Sequence, residues 1–231
     1  QHKELLTKYW NKAFEIYQNY LQSTTNEKII VSSYANAIIS DIICFSFKNA
    51  RKKIKILEEH INKTHMPFYE NKIRLVRSLY YLIAEETSEK SQKIILQSLK
   101  EAQDYCVIHN YSRDYYKCFY LEAVNARKNF NYIEALDNYC IALQCIMENL
   151  KGNCALSKYY PQIFDIIIQL RILKGKKECK NIIKYSADSF VKEKSKKYLQ
   201  MPEEEFLSFY DSYTPNTPII DQKGKLGYPS I

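Results

Sequence analysis

Turn-forming residues are what this chain has least of: four glycines and six prolines in 231 residues. Sandwiches and barrels reverse direction often and need many more of both, so the shortage excludes them and favours long helices with few tight turns. No glycine-rich phosphate loop and no nucleophile motif occurs. The four histidines, His2, His60, His65 and His109, have no spacing that suits a metal site or a catalytic triad. An enzyme, a metal and a cofactor are therefore not expected. The seven cysteines are odd in number and include no Cys-x-x-Cys. Cys44, Cys106, Cys118, Cys140, Cys145 and Cys179 fall where small apolar residues would fall in helices, which argues for a reducing compartment and against a disulfide or zinc framework. Long apolar runs are missing too. The longest, Ala37 to Phe47, is broken by Ser40 and Asp41, and no signal peptide is visible. The expectation is a cytoplasmic protein with no membrane partner.

What the chain does have is positive charge, a formal +8, and abundant tyrosine, 21 residues. The charge favours acidic partners: phosphorylated protein, nucleic acid or an anionic surface. No aromatic-basic pattern singles out nucleic acid, which is not expected as a partner.

Apolar residues recur at three and four positions throughout, the period of helices with one buried face. Leu5, Tyr9, Ala13, Ile16, Tyr17 and Tyr20 mark a first helix, and Ser23-Thr24-Thr25-Asn26 caps a second. Helices are predicted over 29–40, 42–61, 72–86 and 88–107. Another follows Asn110-Tyr111-Ser112, with Ser112 as its N-cap. After Asn129-Phe130-Asn131 comes a helix over 133–150 with Ala135, Tyr139, Ala142 and Ile146 on one stripe. Gly152-Asn153, Gly175 and Pro202 separate helices over 160–173 and 179–199 and a short last one around Phe206 to Tyr210.

One spacing repeats along this series. Ala13-Tyr17-Tyr20, Ala50-Ile54-Leu57, Ser91-Ile95-Ser98, Ala135-Tyr139-Ala142 and Glu178-Ile182-Tyr185 are separated by 37, 41, 44 and 43 residues. Small residues at the first position let neighbouring helices approach. The predicted fold is all-α: about nine antiparallel helices in a curved, tetratricopeptide-like right-handed α-α superhelix. It occupies residues 1–213 as one domain, and 214–231 reads as a polar, proline-bearing tail.

Lys48 and Lys55 are seven residues apart, two helical turns, and project from one face, with Lys52 on the same side. Ammonium groups so placed attract a phosphate through charge-assisted hydrogen bonds, although lysine lacks the planar fork of arginine.

Several segments resemble the 14-3-3 family. Asp114-Tyr115-Tyr116-Lys117 is similar to its Asp-Tyr-x-Arg-Tyr motif, and Tyr139-Cys140-Ile141-Ala142-Leu143 to its Tyr-x-x-Ala-Phe. Lys177-Glu178-Cys179 is similar to its basic-Ala-Cys. Ile42 to Asn49, ending Phe47-Lys48-Asn49, looks like its Leu-Leu-Ser-Val-Ala-Tyr-Lys-Asn. The resemblance implies a homodimer formed through the N-terminal helices that binds phosphoserine or phosphothreonine segments of partner proteins in a concave groove. The implied phosphopeptide-binding positions are Lys48, Lys55, Lys117 and Cys118, with Ile163 and Ile166 in the groove. Two positions depart from the family: Cys118 stands for a tyrosine, and Ile163 for an asparagine that holds peptide backbone. Ser230, next to the C-terminal residue, is a candidate phosphosite that would let the chain's own tail occupy the groove. The alternative is a tetratricopeptide-type scaffold or receptor for unmodified peptides.

Overall fold

The computed structural model describes residues 12, 15, 26–64, 67–84, 88–150, 160–186 and 189–212. Among them the chain is all-α. The helices are α1 (Glu27–Ile43), α2 (Phe47–Thr64), α3 (Pro67–Ala84), α4 (Glu89–Ile108), α5 (Ser112–Lys128), α6 (Tyr132–Leu150), α7 (Tyr160–Ser186), α8 (Ser189–Gln200) and α9 (Glu203–Ser212). No described residue lies in a strand. No described helix is long and apolar enough to cross a membrane. The N-terminal apolar positions from Leu5 to Tyr20, except that 12 and 15 are helical, lie outside the described residues, as do Gly152, Asn153 and the tail.

Three hairpin turns are built alike. The chain leaves α1, α4 and α5 through one residue of positive φ: Phe45 (59°), Asn110 (50°) and Phe130 (61°). In each, the amide of the next residue reaches back five positions to a carbonyl: Ser46 to Asp41 at 2.7 Å, Tyr111 to Cys106 at 2.7 Å, and Asn131 to Ala126 at 2.9 Å. The amide of the positive-φ residue itself reaches back three, to Ile42, Val107 and Arg127. This pair of bonds is the Schellman termination, which satisfies two orphan carbonyls of the helix end. The same residue that closes one helix immediately precedes the next. Glycine is the usual occupant of the positive-φ position; two phenylalanines and an asparagine stand there without one.

These turns move boundaries expected from the sequence. Asp41 does not break a helix: it lies inside α1, its carboxylate taken up by Lys53 Nζ at 2.7 Å. The break falls at Cys44-Phe45-Ser46, so Lys48 sits in the first turn of α2 and not in mid-helix. Tyr111, not Ser112, is the N-cap of α5, and no side chain caps that helix. Asn26 does cap α1, its side chain accepting from the Ile29 amide.

The residues divide into two compact units, Gln1–Ala102 and Gln103–Ile231, where the sequence suggests one domain over 1–213. In the first, α1, α2 and α3 pack on one another. The triad Ala50, Ile54 and Leu57 is buried and faces this core together with Ile61. Ser91, Ile95 and Ser98 of α4 are buried as well. Arg77 of α3 donates to Ser98 at 2.9 Å and pairs with Glu58 of α2 at 3.3 Å. Arg74 pairs with Glu101 at 3.2 Å.

In the second unit α6 packs against both α5 and α7, and α7 against α8. Ala135, Tyr139, Ala142 and Ile146 form the buried stripe of α6. The last copy of the repeat is shifted. Glu178 is exposed and Ile182 half-buried, while Cys179 and Ile183 are buried. The cause lies three residues before Glu178: Gly175 has φ 77° and ψ 171° inside α7, a conformation that resets the helix phase. Arg171 is fully buried and holds the C-terminal helices. Its guanidinium donates to the carbonyls of Tyr198 and Met201 and to Glu203, and lies 3.7 Å from the centroid of the Phe206 ring. A second arginine, Arg127, donates to the Tyr210 hydroxyl of α9.

Candidate functional site

The face of α2 opposite its core carries four cationic side chains. Ala50, Ile54, Leu57 and Ile61 recur at four, three and four residues and bind the helix to the unit. At 3.6 residues per turn, Lys48, Arg51, Lys52 and Lys55 then fall within about 100° of arc on the far side. All four are exposed, and among the described residues no ion pair involves any of them. Glu59, one turn past Lys55, is also exposed and makes no pair with it. Lys53, one residue away on the flank, is instead consumed by Asp41.

This arrangement runs against the usual electrostatics of a helix. Spacings of three and four residues make neighbours, and like charges there destabilise by about 0.2–0.5 kcal/mol per pair. Lys48 to Arg51, Lys48 to Lys52, Arg51 to Lys55 and Lys52 to Lys55 are all such pairs. Lys48 also sits in the first turn, where the helix dipole is positive and favours anions. The first turns of α1, α3, α4, α5, α6 and α9 carry an aspartate or glutamate; those of α2, α7 and α8 carry none. The face is thus a set of cations whose mutual repulsion an external anion would relieve.

Arg51 was not singled out from the sequence. The signal was present, three residues from Lys48 and four from Lys55, but it shows only once the core face of α2 is known. It supplies the planar fork that the lysines lack.

Lys48 and Lys55 belong to the first unit; Lys117, Cys118, Ile163 and Ile166 belong to the second. Lys117 is 21% exposed and pairs with Asp114, one turn earlier, at 2.7 Å. Cys118 is buried. Its thiol donates to the Asp114 carbonyl, and its hydrogen bond with Cys106 together with burial pushes its ionisation far up. It is a packing residue with no group to offer an exposed ligand. Ile163 and Ile166 are likewise fully buried within the second unit, alongside Ile167 and Leu170. Ser230 lies outside the described residues.

No group of three or more metal-ligating side chains occurs among the described residues. The six described cysteines are free thiols. Burial raises the pKa of Cys145 to about 11 and of Cys179 to about 12, which leaves both protonated and poorly nucleophilic at neutral pH. No family model, no curated protein and no solved structure matches the chain.

Proposed function

We propose that this protein is a 14-3-3-like adaptor that binds phosphoserine or phosphothreonine segments of partner proteins, with Lys48 and Lys55 of α2 as principal phosphate contacts. The observation that carries the reading is the exposed cationic face of α2, whose four cations make no ion pair among the described residues and which begins in the first turn of its helix. A phosphate brings roughly −1.5 to −2 of charge and acceptor oxygens to such a place, and charge-assisted bonds from ammonium groups hold it. The orphan amides of the first helical turn favour the same occupant. Lys117, in the second unit, is engaged by Asp114 and is not one of these contacts. The reading includes a cytoplasmic homodimer assembled through the N-terminal helix, and self-occupancy by a tail phosphorylated at Ser230.

The test is a fluorescence-anisotropy titration of a labelled phosphoserine peptide against its unphosphorylated twin. The phosphorylated peptide should bind at least tenfold more tightly. Lys48→Glu should remove that difference while helical content stays unchanged, and Ser230→Ala should bind external peptide more tightly than the tail-phosphorylated chain. Light scattering at micromolar concentration should give a dimer mass. Equal affinity for the two peptides, or stronger binding of duplex nucleic acid with a steep dependence on salt, rejects the reading.

A further inference from the structure

We infer that the α2 face takes two anionic groups at once, and that its preferred ligand is a segment carrying two phosphates about three residues apart. The inference rests on the phosphosegment reading above and adds to it the number and spacing of the phosphates.

Charge comes first. Lys48, Arg51, Lys52 and Lys55 present four positive charges with no ion pair among them and no acidic residue on the same arc before Glu59. One phosphate supplies at most about two negative charges. About half of the positive charge on the face therefore survives a single phosphate, and a second one neutralises it.

Length gives the spacing. From Lys48 to Lys55 the helix rises about 10 Å. One phosphate is shared by both lysines only when their stems lean inward over Arg51 and Lys52, which crowds the like charges further. Two phosphates let each end keep its own. In an extended segment three residues cover about 10 Å, the same distance. Arg51 and Lys52 then lie between the two phosphates, each one turn from both ends, and Arg51 adds the planar fork that accepts two oxygens side by side.

Five labelled peptides of one sequence test this against the full chain: unphosphorylated, phosphorylated at either of two serines three residues apart, phosphorylated at both, and phosphorylated at two serines nine residues apart. The doubly phosphorylated peptide with close spacing should bind about tenfold more tightly than the better singly phosphorylated one, the combined effect of three exposed charge pairs of ordinary strength. The wide spacing should lose most of that gain. In the Arg51→Gln, Lys52→Gln double variant the gain should fall below threefold, with circular dichroism confirming an unchanged helix content. Arg51→Lys, Lys52→Arg, which keeps the charge, should retain it. A gain below threefold in the unaltered chain overturns the inference, and so does an equal gain at wide spacing. If the singly phosphorylated peptides bind no better than the unphosphorylated one, the phosphosegment reading falls as well, a result distinct from equal binding of one and two phosphates.

Discussion

At the scale of single residues, Phe130 is the plainest conflict between local preference and position. A side chain with a Cβ at positive φ costs roughly 1–2 kcal/mol, and the phenylalanine ring, 73% exposed, recovers little by burial. Its edge-on contact with Tyr132, centroids 6.5 Å apart, is the one compensation visible. Phe130→Gly should therefore stabilise the protein by about 1 kcal/mol in urea unfolding at pH 7, because the Schellman turn is kept and the strain is removed. A loss of stability would mean that the ring supports the fold. Phe130, and equally Phe45, are invisible as turn residues in a search for glycine. What marks them in the sequence is only the flanking asparagines in one case and a change of periodicity in the other.

At the scale of elements, α9 depends on Arg171. The side chain is fully enclosed, bridges the end of α8 to the start of α9 through two backbone carbonyls and Glu203, and stacks on Phe206. Its charge is compensated mainly by those carbonyls, since Glu203 is more than half exposed. Arg171→Leu takes its donor from the Tyr198 carbonyl, leaves the Met201 carbonyl only Lys176, and removes the support of the Phe206 ring. The expected cost is about 3 kcal/mol, with amide exchange in 203–212 accelerating more than in α5 and α6. Uniform acceleration across the second unit would instead make Arg171 a part of the general core. The sequence places the last helix and its aromatic residues, but an arginine within an apolar run looks like a surface residue until the carbonyls around it are known.

At the scale of the whole molecule, buried acids of high intrinsic pKa predict a weakness to alkali. Burial raises the phenol of Tyr139, whose hydroxyl has no hydrogen-bond partner, and the thiols of Cys145 and Cys179; hydrogen bonding to Cys106 and burial raise Cys118. For each, the folded pKa lies above the unfolded one. The stability it contributes is complete below the unfolded value, near pH 8.5 for a thiol and near 10 for the phenol. It is lost as pH rises toward the folded value, about 11 for Cys145 and about 12 for Cys179. Urea midpoints should be level from pH 7 to 8 and fall steadily above pH 9. Thiol labelling of the native chain at pH 7.5 should leave Cys118 and Cys179 unmodified. A midpoint that holds to pH 10.5 would contradict this account.

Helical class, the approximate helix count and the core stripe of α6 were legible in the sequence, because each depends on periodicity along one segment and on which residues can be buried at all. The triads at Ala50, Ser91 and Ala135 were legible for the same reason. Helix phase after Gly175 was not, since a residue that can adopt either sign of φ does not announce which it has taken. Nor was the boundary before α2: Asp41 looks like a breaker in isolation and becomes an interior residue once Lys53, twelve positions away, neutralises it. The same holds for the candidate site. The spacing of Lys48 and Lys55 is written in the chain, but which of the many lysines remain unpaired is decided by partners distant in sequence. Asp41 takes Lys53 and Asp114 takes Lys117, while Lys48, Arg51, Lys52 and Lys55 are left facing solvent because the opposite side of their helix is the side that had to be buried.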